Sequence, residues 1–239
     1  MAAMTQMVYS ITMRYATKRV YEWSSQLAYS VGLMASDGCL QKDGRHLDLT
    51  SVDMDQLQNF SKALGRAFHI GQKKSGPQSF GYRIQFGDVA YYDFLLRVGL
   101  TPAKSKTLGA LCIPEQFYAD FLRGLFDGDG TCYAYMDPRW RSSYMFYVGF
   151  TSASMPFLEY LQATNKALAD VTEGSIRHGA RAHTLVYAKA DSYKLADFMY
   201  HEAGLLALSR KKIKLEGFIQ TDRAAIITRQ ARVVKLVNT

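Results

Sequence analysis

Leu27-Ala28-Tyr29-Ser30-Val31-Gly32-Leu33-Met34-Ala35-Ser36-Asp37-Gly38 is an apolar run of helical period that stops at an Asp-Gly pair. A second run, Tyr118-Ala119-Asp120-Phe121-Leu122-Arg123-Gly124-Leu125-Phe126-Asp127-Gly128-Asp129-Gly130, ends in the same way. Residues i and i+4 stack on one helix face, so Gly32 and Ser36 lie one turn apart, as do Gly124 and Gly128. Small residues at that spacing let two helix backbones approach closely. If the two copies pack together, Asp37 and Asp129 finish side by side at the bottom of the pair. A carboxylate there meets the negative end of the helix macrodipole, and the second adds like-charge repulsion. A divalent cation between them removes both penalties, since hard oxygen ligands suit Mg2+ or Ca2+. The glycine after each Asp is expected in the left-handed C′ position of a helix stop. One Asp-Gly pair reads as an ordinary turn; two, each ending a similar helix, reverse that reading.

The 239 residues are 48% hydrophobic and 21% charged, with 16 Tyr and 13 Phe. That is enough core for one large domain or two small ones, and it excludes a disordered chain. The net charge of +8 points to a polyanion, nucleic acid before membrane. Cys39, Cys112 and Cys132 are widely spaced and form no C-x-x-C pair. Neither a zinc site nor a disulfide framework is indicated, and reduced thiols in an intracellular, reducing compartment are expected. The charge-free stretch 23–36 is too short to span a bilayer, so no membrane partner is expected.

In chain order, 1–22 reads as an N-terminal arm. The first helix starts at a Ser24 or Ser25 cap. A hairpin follows, turning at Asp43-Gly44, with Leu47 and Leu49 on one face of its second strand and His46, Asp48 and Thr50 on the other. An amphipathic helix spans 53–65. A second hairpin pairs 68–70 with 80–86 across a loop holding Lys73, Lys74, Gly76 and Pro77, and the helix 89–98 stops at Gly99. Residues 100–113 form a linker. The order then repeats: the second motif helix from Pro114, a hairpin over 131–152 with Arg139-Trp140-Arg141 at its tip, a helix over 155–168, a hairpin over 175–188 and a helix over 192–203 stopping at Gly204. The halves are therefore 23–99 and 114–217, with 218–239 as a C-terminal tail. Leu49-Thr50-Ser51 matches Phe150-Thr151-Ser152, and 94–100 matches 198–205 with one insertion.

With Ser30–Gly38 and Leu122–Gly130 at the nine motif positions, the chain closely resembles the LAGLIDADG homing endonucleases, over roughly residues 23–216. The segments 99–108 and 208–212 resemble the family's stretches after each repeat. The first motif departs at its sixth position, Ala35 where Asp is usual; Asp127 holds that place in the second. The resemblance implies an α+β fold of duplicated αββαββα halves with pseudo-twofold symmetry, two antiparallel β-saddles and a central two-helix interface at Gly32, Ser36, Gly124 and Gly128.

The same resemblance assigns catalysis to Asp37 and Asp129, with Mg2+ (or Ca2+ or Mn2+ in its place) held at Asp37, Asp129, Gly38 and Gly130. It brings a lysine into each active-site pocket, for which Lys104 and Lys211 are the candidates, and puts polar, water-orienting side chains at the strand ends, here Ser51 and Ser152. On the residues alone, both serines are equally helix caps and the lysines a solvated charge run. An Asp127-x-Asp129 calcium loop is excluded, because Cys132 and Pro138 stand where Gly and Glu are needed. His46, His69, His178, His183 and His201 are scattered and suggest no general base.

The implied activity is site-specific double-strand cleavage of DNA by a monomer, leaving short 3′ overhangs. A two-stranded ribbon fits the major groove, where base edges are distinguishable. The positions opposite the apolar stripe are Lys42, Arg45, His46, Asp48, Lys73, Lys74, Arg83 and Gln85 in the first half. In the second they are Arg139, Arg141, Ser143, Tyr147, Arg177, Arg181 and His183. The ribbons differ, so a long asymmetric duplex target is expected. The rival readings are an intron maturase binding host intron RNA on the same scaffold, and a DNA-binding protein that has lost cleavage.

Overall fold

The computed structural model describes residues 19–74, 80–139 and 144–237, the last nine of these by backbone alone. Ser24 caps the first motif helix, α1 (Ser25–Ser36), accepting the Leu27 N–H at 3.1 Å. The order continues as β1 (Gly38–Leu40), β2 (His46–Ser51), α2 (Met54–Ala63), β3 (Ile70–Lys74), β4 (Phe80–Gly87) and α3 (Val89–Val98). It then repeats as α4 (Glu115–Asp129), β5 (Gly130–Met136), β6 (Tyr144–Ser152), α5 (Met155–Leu168), β7 (Ser175–His178), β8 (His183–Tyr187) and α6 (Lys189–Met199), before α7 (Ser209–Val237). Both sheets are antiparallel, four-stranded and ordered alike, β1-β2-β4-β3 and β5-β6-β8-β7.

The halves meet along α1 and α4. A Cβ on Gly32 would strike the carbonyl of Phe121, and one on Gly124 the carbonyl of Tyr29, each three residues before the opposite glycine. That reciprocity is the local signature of a twofold axis. Away from it, α2 and α3 bury Leu57, Phe60, Tyr91 and Leu95 against Leu47, Leu49, Ile84 and Phe86 of the first sheet. In the second half, Phe157, Leu158, Leu195 and Met199 meet Phe146, Val148, Phe150 and Tyr187. Burying side chains of this size stabilises by about 1.5–3 kcal/mol each, so each saddle is held firmly by its own pair of outer helices.

Several expectations are corrected. Neither Gly38 nor Gly130 is left-handed; Gly130 has φ −72 and ψ 150. Each is instead the first residue of a strand that leaves the helix abruptly, where a Cβ would lie 2.6 Å from Met34 Cα or 2.5 Å from Phe126 Cα. The left-handed stop does occur at Gly99 (φ 110), where the Leu100 N–H returns to the Leu95 carbonyl. Lys73 and Lys74 belong to β3 rather than to a loop, and α6 ends at Met199, short of Ala203. The loop glycine and proline at 76 and 77 lie outside the described residues. The tail boundary at 217 falls inside α7, whose Phe218 and Ile219 pack on the core and whose buried Asp222 accepts bonds from Lys189 and Tyr193. Residues 1–18 of the arm lie outside the described residues; by Tyr21, which donates to Asp88 at 2.8 Å, the chain is docked. Among the described residues no helix is long and apolar enough to cross a membrane.

Candidate active site and nucleic-acid interface

The abrupt helix-to-strand exits place Asp37 and Asp129 at the shared end of α1 and α4. Packing there is tight enough that a Cβ on Gly128 would touch Ser36 and come within 3.0 Å of Asp37 Oδ2. Two clefts open at this end, one per carboxylate. The first is lined by Asp37, Ser51, Asp53, Gln56, Gly128 and Arg210. The second is lined by Asp129, Ser36, Lys104, Ser105, Thr151 and Ser152. Each cleft thus combines a carboxylate from one half with the small motif residue of the other.

The carboxylates sit in unfavourable surroundings for charge. Burial raises the Asp37 pKa, against the Gln56 hydrogen bond and the charges of Lys211 and Lys104. Asp129 is pushed up to about 6 by burial and then by the Asp37 charge, with Lys104 and Lys211 opposing. Lys104 donates to the carbonyls of Gly38 at 2.9 Å and Ser36 at 3.4 Å. Lys211 donates to Phe126 at 2.8 Å, Gly128 at 2.6 Å and Gly130 at 2.7 Å. Each ammonium therefore neutralises the negative end of one motif helix and lies beneath the carboxylates. Burial lowers both lysine pKa values, and the nearby carboxylates oppose that shift. The carbonyls of Gly38 and Gly130 already accept these bonds.

Among the described residues no group of three or more His, Cys, Asp or Glu could enclose a metal, and all three cysteines are free. The donors at the helix ends are all oxygens, and the like-charge repulsion between the two carboxylates is relieved by a cation. The set fits a hard divalent ion that keeps much of its water, and it does not fit zinc.

Ser51 and Ser152 keep matching places. Each hydroxyl accepts the backbone N–H two residues on, from Asp53 at 3.0 Å and from Ser154 at 3.1 Å, a serine turn just ahead of the cap residue itself. Sequence reading missed Gln56, whose Nε2 donates to Asp37 Oδ2 at 2.6 Å. It also missed Arg210, paired with Asp53 at 2.7 and 2.8 Å on the rim of the first cleft. Both contacts join residues far apart in the chain, and no local pattern announces them. Asp127, at the sixth motif position, takes no part in either cleft. It accepts the Tyr29 hydroxyl at 2.6 Å and the Leu208 N–H at 2.7 Å, capping the start of α7. The first half has only a 3-10 turn at Lys104–Lys106 in place of that long helix, so Ala35 there leaves no helix uncapped.

The ribbon candidates divide by their place in the ladder. In the first sheet Gln85 and Lys73 are exposed on the open side, and Lys42 and Arg45 project from the β1–β2 turn. Lys74 is corrected: it is exposed at the ribbon's end but shares the ladder parity of core-packed Ile70 and Ile84. His46 is held by Asp43 at 2.5 Å. Asp48 is not free: it is 6% exposed and accepts Arg83 at 2.5 Å and Gln41 at 2.7 Å, so Asp48 and Arg83 occupy each other. In the second sheet Tyr147 stacks between Tyr133 (5.1 Å) and Tyr135 (5.7 Å), with the Arg177 guanidinium 5.8 Å over its ring. The two flanking tyrosines went unnoticed in the sequence, although Thr131, Tyr133 and Tyr135 alternate with Cys132 and Ala134. Arg139 is bound back to Asp137, and Arg181 is exposed in the β7–β8 turn. His183 is corrected: it shares the ladder parity of buried Leu185 and Tyr187, packs on His178, and faces away from the ribbon's open side. Arg141 and Ser143 lie outside the described residues.

No protein-family profile and no curated protein sequence matches the chain. Its backbone matches solved structures. This is the LAGLIDADG fold in its single-chain, two-motif form. The homing endonuclease I-WcaI bound to its DNA recognition sequence superposes with a TM-score of 0.59 over 80% of this chain and 86% of that one, at 12% identity. The meganuclease I-AabMI bound to uncleaved DNA gives 0.57 over 86% and 92%, also at 12% identity. Full-length DUF199/WhiA from Thermatoga maritima gives 0.54 over 92% and 70%, at 14% identity.

Proposed function

We propose that this protein is a site-specific DNA endonuclease that cuts both strands of a long, asymmetric duplex with the help of divalent metal ions. The observation that carries the reading is the pair of clefts, each holding one carboxylate at the shared end of two helices that no side chain separates. Two like charges held together at one helix end repel, and a cation-dependent reaction is the economical reason to keep them. The DNA-bound homing endonucleases on the same fold support duplex DNA as the partner, and so does the net charge of +8.

In this reading Asp37 and Asp129 hold the ions. Bound Mg2+ would supply Lewis acidity toward phosphoryl oxygens and lower the pKa of a bound water. Lys104 and Lys211 keep the helix ends in place and offset the local negative charge. Ser51 and Ser152 present hydroxyls at the cleft walls, and Arg210 adds a guanidinium at the first rim where a phosphate would pass. With one carboxylate per cleft, each cleft serves one strand. The ribbon residues Lys42, Arg45, Lys73, Gln85, Tyr147, Arg177 and Arg181 then line the duplex. About half or more of such contacts reach phosphate or sugar rather than bases.

The test begins with a duplex recovered from a random-sequence pool by binding to the protein in Ca2+. A plasmid carrying that duplex should be linearised in Mg2+, with short 3′ overhangs. Asp37→Asn and Asp129→Asn should each bind it while leaving at least one strand intact. Tight binding with no cutting by the wild type would instead establish a DNA-binding protein without nuclease activity, and preference for intron RNA over the duplex would favour the maturase.

A further inference from the structure

We propose that Gln56 is a positioning residue for Asp37 alone, making the two clefts unequal so that the strand over the Asp37 cleft is cut first. The inference rests on the nuclease reading and concerns which of its two centres is pre-set. Gln56 is 2% exposed and uses both ends of its amide. Nε2 donates to Asp37 Oδ2 at 2.6 Å, and Oε1 accepts the Ser51 hydroxyl at 2.8 Å. The Ser51 oxygen in turn accepts the Asp53 N–H, and the Asp53 carboxylate is gripped by Arg210 from α7. An unbroken polar chain therefore runs from the first motif carboxylate to the far half of the molecule.

The second half keeps the frame of this chain and drops its contents. With Ser152 in the place of Ser51, the position of Gln56 falls on Phe157, which is buried in the apolar core at 2% exposure. Ser154 stands for Asp53 and spends its hydroxyl on the Leu108 carbonyl, while Ala103 stands for Arg210. Among the described residues no side chain donates a hydrogen bond to the Asp129 carboxylate. Asp37 therefore meets an incoming ion with one oxygen tied and its rotamer chosen, whereas Asp129 must be ordered during binding. Fixing a ligating group beforehand is worth about 10–100-fold in metal affinity or activity.

Strand-specific cleavage decides the matter. With the selected duplex labelled on either strand, the wild type in Mg2+ should cut one strand about tenfold faster and accumulate that nick. Gln56→Leu should slow the fast strand by about the same factor and leave the slow one unchanged, with duplex binding in Ca2+ and the thermal midpoint serving as folding controls. Gln56→Glu, which keeps an acceptor for Ser51 but repels Asp37, should slow the same strand. Equal rates in the wild type, or equal losses on both strands in Gln56→Leu, would overturn the inference. If neither strand is cut, the nuclease reading falls, and calorimetric titration of Mn2+ into the protein–duplex complex still decides this one. Two unequal sites, the tighter weakened in Gln56→Leu, would support it; equal sites indifferent to Gln56 would end it.

Discussion

The Cα of Gly32 lies 3.2 Å from where a Cβ on Gly124 would stand, and the opposed carbonyls of Tyr29 and Phe121 close the gap on either side. The two motif helices therefore touch backbone to backbone, which is why their acidic ends share one small volume. Adding one methyl at this contact has no flexible neighbour to displace. Gly32→Ala and Gly124→Ala should each destabilise the protein by about 2–3 kcal/mol. The thermal midpoint should fall by roughly 4–12 °C at the usual sensitivity of a chain this size. Gly109→Ala, at a glycine with open space around it, should change the midpoint by less than about 1 °C, since it creates no clash.

Asp127 is expected to behave as a structural carboxylate. Its Oδ2 takes the Tyr29 hydroxyl and the Leu208 N–H inside the core. Asp127→Ala should lower urea-unfolding stability by about 2–4 kcal/mol by leaving two buried donors unpaired. Tyr29→Phe should cost about 1–3 kcal/mol on the same grounds. At permissive temperature neither change should alter which DNA positions are cut.

Acid and metal should each relieve the charge on the carboxylates, and so compete in stabilising the fold. Asp127 and Asp129 are both raised to about 6, burial being the first cause for each. Between about pH 4 and pH 6 the folded protein thus holds more protons than the unfolded chain, so metal-free stability falls as pH rises through that window and levels off above it. Asp127, the buried one, contributes at most about 3 kcal/mol; Asp129, open to solvent, contributes less. Asp129→Asn should flatten its share of the slope in denaturant titrations at pH 4.5 and 7. Mg2+ or Ca2+, which bind the ionised form, should raise the thermal midpoint at pH 7 and do little at pH 4.5.

On the second saddle the tyrosine stack and Arg177 form one surface. Arg177→Ala should weaken duplex binding and, if the guanidinium meets a phosphate, reduce the log–log salt slope by about 1. Tyr147→Ala should weaken binding with little change in that slope, because it removes an aromatic wall and no charge. His183→Ala, on the buried parity of β8, should leave affinity unchanged and register in stability instead. Fluorescence anisotropy across a salt series separates the three.

The duplicated frame was legible because its signals are local. Helical period, Asp-Gly stops and the Gly/Ser spacing located α1 and α4, while Gly99 and the apolar periodicity gave the bounds of α3 and α5. Those local signals also misled where a tertiary constraint overrode them. Gly38 and Gly130 look like left-handed caps, yet they are glycines because a strand leaves each helix without room for a Cβ. Lys73 and Lys74 look like a loop, because two successive charges on an exposed ribbon hide its alternation. Of the candidate site, the carboxylates and lysines could be named from the motif and its flanks. Gln56, Arg210 and the Asp48–Arg83 pair could not, since each depends on side chains meeting across elements. The length of α7 was hidden too, because Gly217 reads as a break and the tail beyond it shows no clear apolar period.

The central claim is that two acidic helix ends, one from each half, hold cations against a single duplex. Anomalous scattering from Mn2+ in crystals of the protein with its selected duplex tests this most directly. The account predicts ion peaks on the carboxylates of both Asp37 and Asp129, each also bonded to a phosphate of a different strand. Peaks absent from both, or a duplex bound with the helix ends turned away from it, would contradict it.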